Sequence, residues 1–243
     1  MKAWHIAVAT AALFGQTNAA LAATLFWPNV GEWASWPEYC RAKYTFLRID
    51  ETLEFGPTMP KAALEQQKAT LGQAWEYIHH HCAGLSYLQR AKSARTADER
   101  KFALRQAMEE SRFTYARVKP DLPIYAEIAT HMGSIARTSG DQELALQYYG
   151  VAMTTHPQFP GGYEGTALVL QDQHKNDAAL EVLLQGNEAT GGDSPEIHYF
   201  LGLAYLNLKD LDLASEHARR AYDLGYPLPG LRNKLAAAGR PIG

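Results

Sequence analysis

The feature that most constrains the fold is a repeat of small residues at a spacing of 34 to 35 positions. Three segments align so that small residues coincide in three columns: Gly133, Ala167 and Gly202; Ala145, Ala179 and Ala214; and Ala152, Gly186 and Ala221. A fixed period of this length with two helix-sized halves is typical of a helical solenoid, in which each repeat buries its apolar face against its neighbours. The sequence therefore predicts an all-α scaffold.

Helix start and stop signals divide each repeat into a pair of helices. In the first copy Ile128, Met132 and Ile135 form one helical stripe, which is interrupted at residues 138–141. Asp141 is placed to cap the second helix, and Pro157 follows the end of that helix. The small residues lie where the two helices cross closely, so we expect them to act in packing rather than in catalysis.

These segments resemble the tetratricopeptide repeat (TPR), whose pattern of small and bulky residues ends in a proline after the second helix. The residues of the first copy that match are Gly133, Ala145, Ala152 and Pro157. The second copy is looser, since it has Gly186 for the usual alanine and lacks the closing proline, and in the third copy Pro227 comes one place late. The resemblance covers residues 124–227 and implies a right-handed α-solenoid of antiparallel helix pairs.

The repeats and their flanks divide the chain into six parts. We expect a signal peptide at 1–22, an irregular helical extension at 23–120 that contains a degenerate repeat, TPR copies at 124–157, 160–191 and 195–227, and a cap at 228–243. Within the extension the sequence predicts helices at 36–49, 60–94 and 97–118. Leu231 and Leu235 are four residues apart, which favours a short C-terminal helix docked on the last repeat. The interval from Gly84 to Gly133 is too long for one period, so we expect the repeat before the first TPR copy to be enlarged.

The N-terminus has the pattern of a secretory leader. Lys2 precedes an apolar run from Ile6 to Phe14, and small residues end at Ala22, which matches a signal peptide with an A-x-A cleavage site. The run is short of the roughly 20 residues that a membrane-spanning helix needs. We therefore expect export to the periplasm, with cleavage after Ala22 and no transmembrane segment in the mature chain.

Composition narrows the classes of function. The formal net charge is −3, and without Lys2 it becomes 22 minus 26, or −4, which disfavours a nucleic-acid partner because that affinity depends on basic patches. The sequence contains no nucleophile elbow, no H-E-x-x-H pair and no phosphate loop. We expect a protein that is not an enzyme and that binds no cofactor.

The only two cysteines, Cys40 and Cys82, lie in the N-terminal extension. In an exported protein such a pair predicts a disulfide, and closing a loop of this length contributes about 4 kcal/mol in the loop-entropy model. The competing interpretation is a metal or haem site, because His79 and Cys82 share a helix face and would form a cluster with Cys40. Against it, a four-ligand set and a C-x-x-C-H motif are both missing from the sequence.

The resemblance to TPR proteins also implies a binding surface, because the first helix of each repeat lines a concave groove in that family. Carried over position by position, the predicted groove residues are Glu127, Thr130, Ser134, Arg137, Glu164, Leu168, Gln171, Asp172, Tyr199, Leu203, Leu206 and Asn207. Their mixture of polar, apolar and aromatic side chains would suit a peptide segment with hydrophobic anchors. Some TPR proteins hold a terminal carboxylate with lysines and asparagines in this groove, and Thr130, Ser134, Glu164 and Leu168 depart from that set.

We therefore expect a periplasmic scaffold or adaptor for cell-envelope assembly, which binds a protein or peptide partner in the concave groove. Metal or haem handling by Cys40, His79 and Cys82 is the alternative. A third possibility is that the N-terminal module is itself the interface, with Trp27, Trp33 and Trp36 as aromatic anchors.

Overall fold

The computed structural model describes residues 26–47 and 59–242. These residues form twelve α-helices and no strand: α1 Val30–Ser35, α2 Glu38–Phe46, α3 Lys61–Leu71, α4 Ile78–Ser93, α5 Ala97–Tyr115, α6 Ile124–Ser139, α7 Gln142–Thr155, α8 Gly161–Asp172, α9 Asn176–Ala189, α10 Pro195–Asn207, α11 Leu211–Asp223 and α12 Gly230–Ala237. A 3-10 turn at Gly72–Glu76 joins α3 to α4. The predicted signal peptide lies outside the described residues.

Helices α4 to α11 form four successive hairpins, and each hairpin packs on the next. The first helices of the last three hairpins, α6, α8 and α10, contact one another in that order, so they form one continuous layer. The second helices form the opposite layer. The predicted all-α, TPR-like solenoid is therefore confirmed, with α12 packed against α10 and α11 at its C-terminal end.

Local capping chemistry sets the boundaries of the repeat helices. The side chains of Asp141, Ser194 and Asp210 each accept a hydrogen bond from the backbone N–H three residues on, which satisfies one of the free donors at a helix start. Helix α6 ends at Gly140, whose φ of 92° lies in the left-handed region that suits glycine. The predicted break at 138–141 therefore contains a position whose backbone conformation only glycine adopts without strain.

The columns of small residues mark the closest approaches between helices, as predicted. A Cβ built on Gly133 would lie 2.5 Å from the ring of Tyr149, and Tyr149 also crowds Gly165 on the next hairpin. A Cβ on Gly186 would lie 2.8 Å from Tyr163, which explains why the second copy carries glycine where the pattern has alanine. Side chains at these positions would separate the helices.

The N-terminal extension differs in detail from the predicted helices. The expected first helix, 36–49, begins at Glu38 after a separate helix α1, and the structure describes it only as far as Phe46, with Leu47 as its cap. The expected long helix, 60–94, is interrupted after α3, because Gly72 has a φ of 53° and a short 3-10 turn follows. The expected third helix, 97–118, ends at Tyr115.

The hairpin of α4 and α5 is the enlarged repeat. Helix α5 has 19 residues, whereas α7 and α9 have 14 each. The extra length lies in its N-terminal half, since Gly84 of α4 faces Ala107 and leaves the ten residues from Ala97 to Gln106 before that contact. The helices of this hairpin therefore continue further before their connecting turn than the helices of a regular repeat.

The C-terminal helix α12 closes the solenoid as predicted. Leu231 and Leu235 are fully buried and pack with Leu203 and Leu206 of α10. Among the described helices, none has the length and apolar character required to cross a membrane.

Candidate functional site

The predicted groove residues lie on α6, α8 and α10, in three columns that cross the helix layer. Residues of one column are 34 or 35 positions apart, so they are neighbours on adjacent helices. The columns are Thr130, Glu164 and Tyr199; Ser134, Leu168 and Leu203; and Arg137, Gln171 and Leu206. Nine of the twelve predicted groove residues fall in these columns, and we call their surface the concave face, after the groove that the TPR resemblance predicts.

Helix α2 covers the N-terminal end of this face. The hydroxyl of Tyr39 donates a hydrogen bond to a carboxylate oxygen of Glu127 at 2.5 Å. Burial raises the pKa of Glu127 while the hydrogen bond from Tyr39 lowers it, and burial followed by the nearby Glu127 raises the pKa of Tyr39. Glu127 is therefore already engaged within the chain.

A pair of buried histidines lies beside this contact. His81 of α4 and His131 of α6 meet edge to face at a centroid distance of 5.1 Å, and the ring of Tyr39 stacks on His81 at 6.3 Å. Burial lowers the pKa of His131 to about 4 and lowers the pKa of His81 well below its ordinary value. Both rings are therefore neutral at physiological pH.

An ion pair connects the first two helices of the layer at their C-terminal ends. Arg137 of α6 forms two hydrogen bonds, of 2.7 and 3.0 Å, with the carboxylate of Asp172 on α8. Ser134 lies 3.3 Å from the hydroxyl of Tyr149, on the side of the paired helix α7. These polar groups hold neighbouring helices together and have partners within the chain.

The C-terminal end of the concave face is covered by the cap. Tyr199 stacks on Tyr226 at a centroid distance of 4.1 Å, and its hydroxyl contacts the start of α12. Leu203 and Leu206 pack with the buried leucines of α12. The apolar end of the predicted groove therefore supports the cap, and only Asn207 is exposed there.

Glu164, in the middle of the face, has a polar atom that is not satisfied in this way. Its Oε1 atom is buried and has no hydrogen-bond partner in the described residues, and the same holds for Oγ1 of Thr130 in the same column. Burial, followed by the nearby Glu196, raises the pKa of Glu164 to about 8. A buried carboxyl group without a partner is costly to the fold.

The surroundings of Glu164 are acidic and aromatic. Burial raises the pKa of Tyr226 to about 12, and Tyr199, Glu164 and Glu196 add to this effect, which places all four groups close together. Leu168, half-buried, lies one helical turn after Glu164. Two carboxylates beside stacked tyrosines form a setting that favours a positively charged group.

Sequence reasoning missed three members of this arrangement: Tyr39, Glu196 and Tyr226. Glu196 lies in the first turn of α10, where an acidic residue is expected for helix capping alone. Tyr39 and Tyr226 lie in segments that flank the repeats. The 34-residue period does not predict which repeat residues such segments contact.

The predicted disulfide is present and joins α2 to α4. The Cys40 and Cys82 sulfur atoms are bonded, and both residues are fully buried. A disulfide sulfur is not a thiolate ligand, so the alternative metal site at Cys40, His79 and Cys82 loses two of its three ligands. Within the described residues, no group of three or more histidine, cysteine or acidic side chains is arranged to hold a metal ion.

The histidine run itself is divided among separate contacts. His80 lies 2.6 Å from a carboxylate oxygen of Glu110 on α5, and burial lowers the pKa of His79 to about 4. His81 faces the core beside His131. Of the three N-terminal tryptophans, Trp36 is buried, Trp33 is half-buried and Trp27 is exposed.

The stacked helix pairs form a helical-repeat fold that is similar to that of TPR proteins. No protein-family model and no curated protein matches the sequence. Solved structures that are similar to it include MamA 41-end from Desulfovibrio magneticus RS-1, with 20% identity and a TM-score of 0.42 over 64% of this chain and 82% of that chain.

Two further similar structures are described as TPR proteins. YrrB, a TPR protein with an unusual peptide-binding site, is 14% identical, with a TM-score of 0.45 over 82% of this chain and 88% of that chain. TTC0263, a thermophilic TPR protein from Thermus thermophilus, is 19% identical, with a TM-score of 0.46 over 70% of this chain and 97% of that chain. At these identities the likeness concerns the fold alone.

Proposed function

We propose that this chain is a protein-interaction scaffold whose concave face binds a segment of a partner protein, with a lysine or arginine of that segment placed against Glu164. The single observation that carries this proposal is the buried Oε1 atom of the half-buried Glu164, which lacks a hydrogen-bond partner in the described residues and lies in the middle of the concave face. A cationic side chain would satisfy Glu164 and Glu196 together and would contact the stacked Tyr199 and Tyr226.

The position of Glu164 supports a peptide segment as the ligand. The face is covered by α2 at one end and by the cap at the other, so the accessible part is the middle, around Glu164, Leu168 and Gln171. Leu168 offers an apolar contact one turn from the carboxylate. An extended segment that presents a cation and an apolar side chain two or three residues apart matches this spacing.

Selection from a random library of dodecapeptides displayed on phage tests the proposal. The wild-type chain should enrich peptides that contain lysine or arginine beside an apolar residue, and Glu164→Gln should lose that enrichment because the amide keeps the shape and removes the charge. Glu188→Gln, an exposed glutamate on α9, is the matched control and should behave like the wild type. Identical enriched sequences for wild type and Glu164→Gln would contradict the proposal.

We also propose that the scaffold acts in the periplasm, in the assembly of the cell envelope. The signal-like sequence at 1–22 supports export, and the Cys40–Cys82 disulfide fits an oxidising compartment. Mass spectrometry of the protein recovered from the periplasm of an expressing cell should give a chain that begins at Ala23. Recovery of the uncleaved chain from the cytoplasm with both cysteines reduced would contradict it.

A further inference from the structure

The enlarged hairpin creates a second concave site, apart from the concave face. The N-terminal half of α5 and the last turn of α6 line an open surface cavity of about 460 Å³, which we call the α5 pocket. It is lined by Ala97, Arg100, Lys101, Leu104, Arg105, Met108, Ile135, Thr138 and Ser139. None of the predicted groove residues lines this pocket, so a ligand bound in it would not compete with a segment bound at Glu164.

The floor of the α5 pocket is apolar. Ile135 is 1% exposed, and Leu104 and Met108 are half-buried around it. The pocket lies along the N-terminal half of α5, which is longer than the second helix of a regular repeat, and Leu104 and Met108 pack beside Ile135 of α6. A cavity of this size accommodates one or two large apolar side chains.

The rim of the pocket is basic. Arg100 is already used, since its guanidinium donates hydrogen bonds to the carbonyl oxygens of Ala91 and Thr138. Lys101 and Arg105 are exposed and form no ion pair within the part of the chain that the structure describes; Arg105 lies 5.6 Å from the ring centroid of Phe102. Two cations are therefore available for a ligand.

The charge of the pocket lining differs from that of the whole chain. The lining contains three basic side chains, Arg100, Lys101 and Arg105, and no acidic one, whereas the chain has a formal net charge of −3. Phe102, which is 51% exposed, adds an apolar surface next to the rim. A positive patch on an acidic protein favours an acidic ligand.

We propose that the α5 pocket is a second docking site, which binds an acidic segment of a partner protein by taking an apolar side chain into the pocket and pairing flanking carboxylates with Lys101 and Arg105. A concave apolar floor favours a peptide over a flat anionic membrane surface, because a single side chain fills it and a lipid headgroup layer does not. The scaffold would then hold two segments of opposite charge.

Fluorescence anisotropy tests this proposal with a labelled dodecapeptide in which a central Leu-Trp pair is flanked by glutamates. The full chain should bind this probe in a saturable way, and should bind the version with glutamine in place of glutamate far more weakly. Lys101→Glu combined with Arg105→Glu should weaken the binding at least about tenfold. Ala97→Trp, which fills the pocket from an exposed position without changing charge, should weaken it as well.

Lys61→Glu combined with Lys234→Glu is the matched control, because it makes the same charge change at two exposed lysines of α3 and α12. It should leave the affinity unchanged. Failure of the wild-type chain to bind the acidic probe, or equal binding by the Lys101/Arg105 variant, would overturn the proposal. Sedimentation of the chain with phosphatidylglycerol vesicles, without binding of the peptide, would overturn it in favour of a membrane contact.

Discussion

Cys40 of α2 and Cys82 of α4 form a buried disulfide that ties the N-terminal helices to the solenoid across a sequence separation of 42 residues. The same two helices carry Tyr39 and His81, which contact each other and the first TPR-like helix. The bond therefore fixes α2 over the N-terminal end of the concave face. It also determines which part of that face is left open to a partner.

Loss of the disulfide should destabilise the whole chain. For a loop of this length the chain-entropy model gives about 4 kcal/mol, and we expect Cys40→Ser combined with Cys82→Ser to lower the free energy of unfolding by up to that amount. Urea denaturation followed by circular dichroism measures it. The variant should be insensitive to reductant, whereas the wild type should lose stability on reduction. Equal stability of the variant and the oxidised wild type would contradict this prediction.

Gly133 and Gly150 provide a matched pair for testing the columns of small residues. Gly133→Ala should cost about 1–3 kcal/mol because the new methyl group meets the ring of Tyr149, whereas a Cβ on Gly150 of α7 meets no atom within 4 Å. Gly150→Ala should instead stabilise the chain by about 0.5–1 kcal/mol through helix propensity. Thermal unfolding of both variants measures these effects, and a Gly133→Ala protein as stable as the wild type would show that the column does not control helix packing.

The buried histidines should make the fold sensitive to acid. The pKa of His131 is lowered to about 4, chiefly by burial and also by Lys92, with an opposing backbone hydrogen bond at Gly84, whereas an unfolded histidine has a pKa of about 6.5. A depressed pKa means that the unfolded chain binds the proton more tightly. The contribution of His131 to the free energy of unfolding is therefore fully present above the unfolded pKa and is lost as the pH falls toward 4.

Removal of this titrating group should weaken the effect of acid. His131→Leu keeps the position apolar, next to His81, Tyr39 and Glu127, and should flatten the loss of stability on the acid side in urea titrations at several pH values. His174→Asn, at an exposed histidine with a φ of 60°, is the control and should retain the wild-type profile. An unchanged acid profile for His131→Leu would contradict this prediction.

The fold was predictable from sequence where contacts are local and periodic. Gly133, Ala145 and Ala152 meet partners within one hairpin or the next, so the 34-residue period records them directly. Helix ends with a distinct chemical signal, such as Asp141, were predictable for the same reason. The break at Gly72 was not, because its positive φ depends on how the chain turns from α3 into α4.

The candidate site was only partly predictable. The positions of Glu164 and Leu168 on the concave face follow from the TPR resemblance. The neighbours of Glu164 do not: Glu196, which helps to raise its pKa, and Tyr226, whose pKa Glu164 helps to raise, come from the next repeat and the segment before the cap. Likewise, the hydrogen bond between Tyr39 and Glu127 joins residues 88 positions apart. Such contacts depend on tertiary packing, which the period of the repeats does not encode.

The pH dependence of peptide affinity shows whether the carboxylate of Glu164 binds the cation of a peptide. In the free chain the pKa of Glu164 is about 8, and a bound arginine would favour the ionised carboxylate and lower that pKa. The affinity for an arginine-containing dodecapeptide, measured by isothermal titration calorimetry, should therefore rise with pH, by up to about tenfold per unit, and level off above the free pKa. Glu164→Gln should bind weakly at every pH; a wild-type affinity independent of pH and equal to that of the variant would contradict the account.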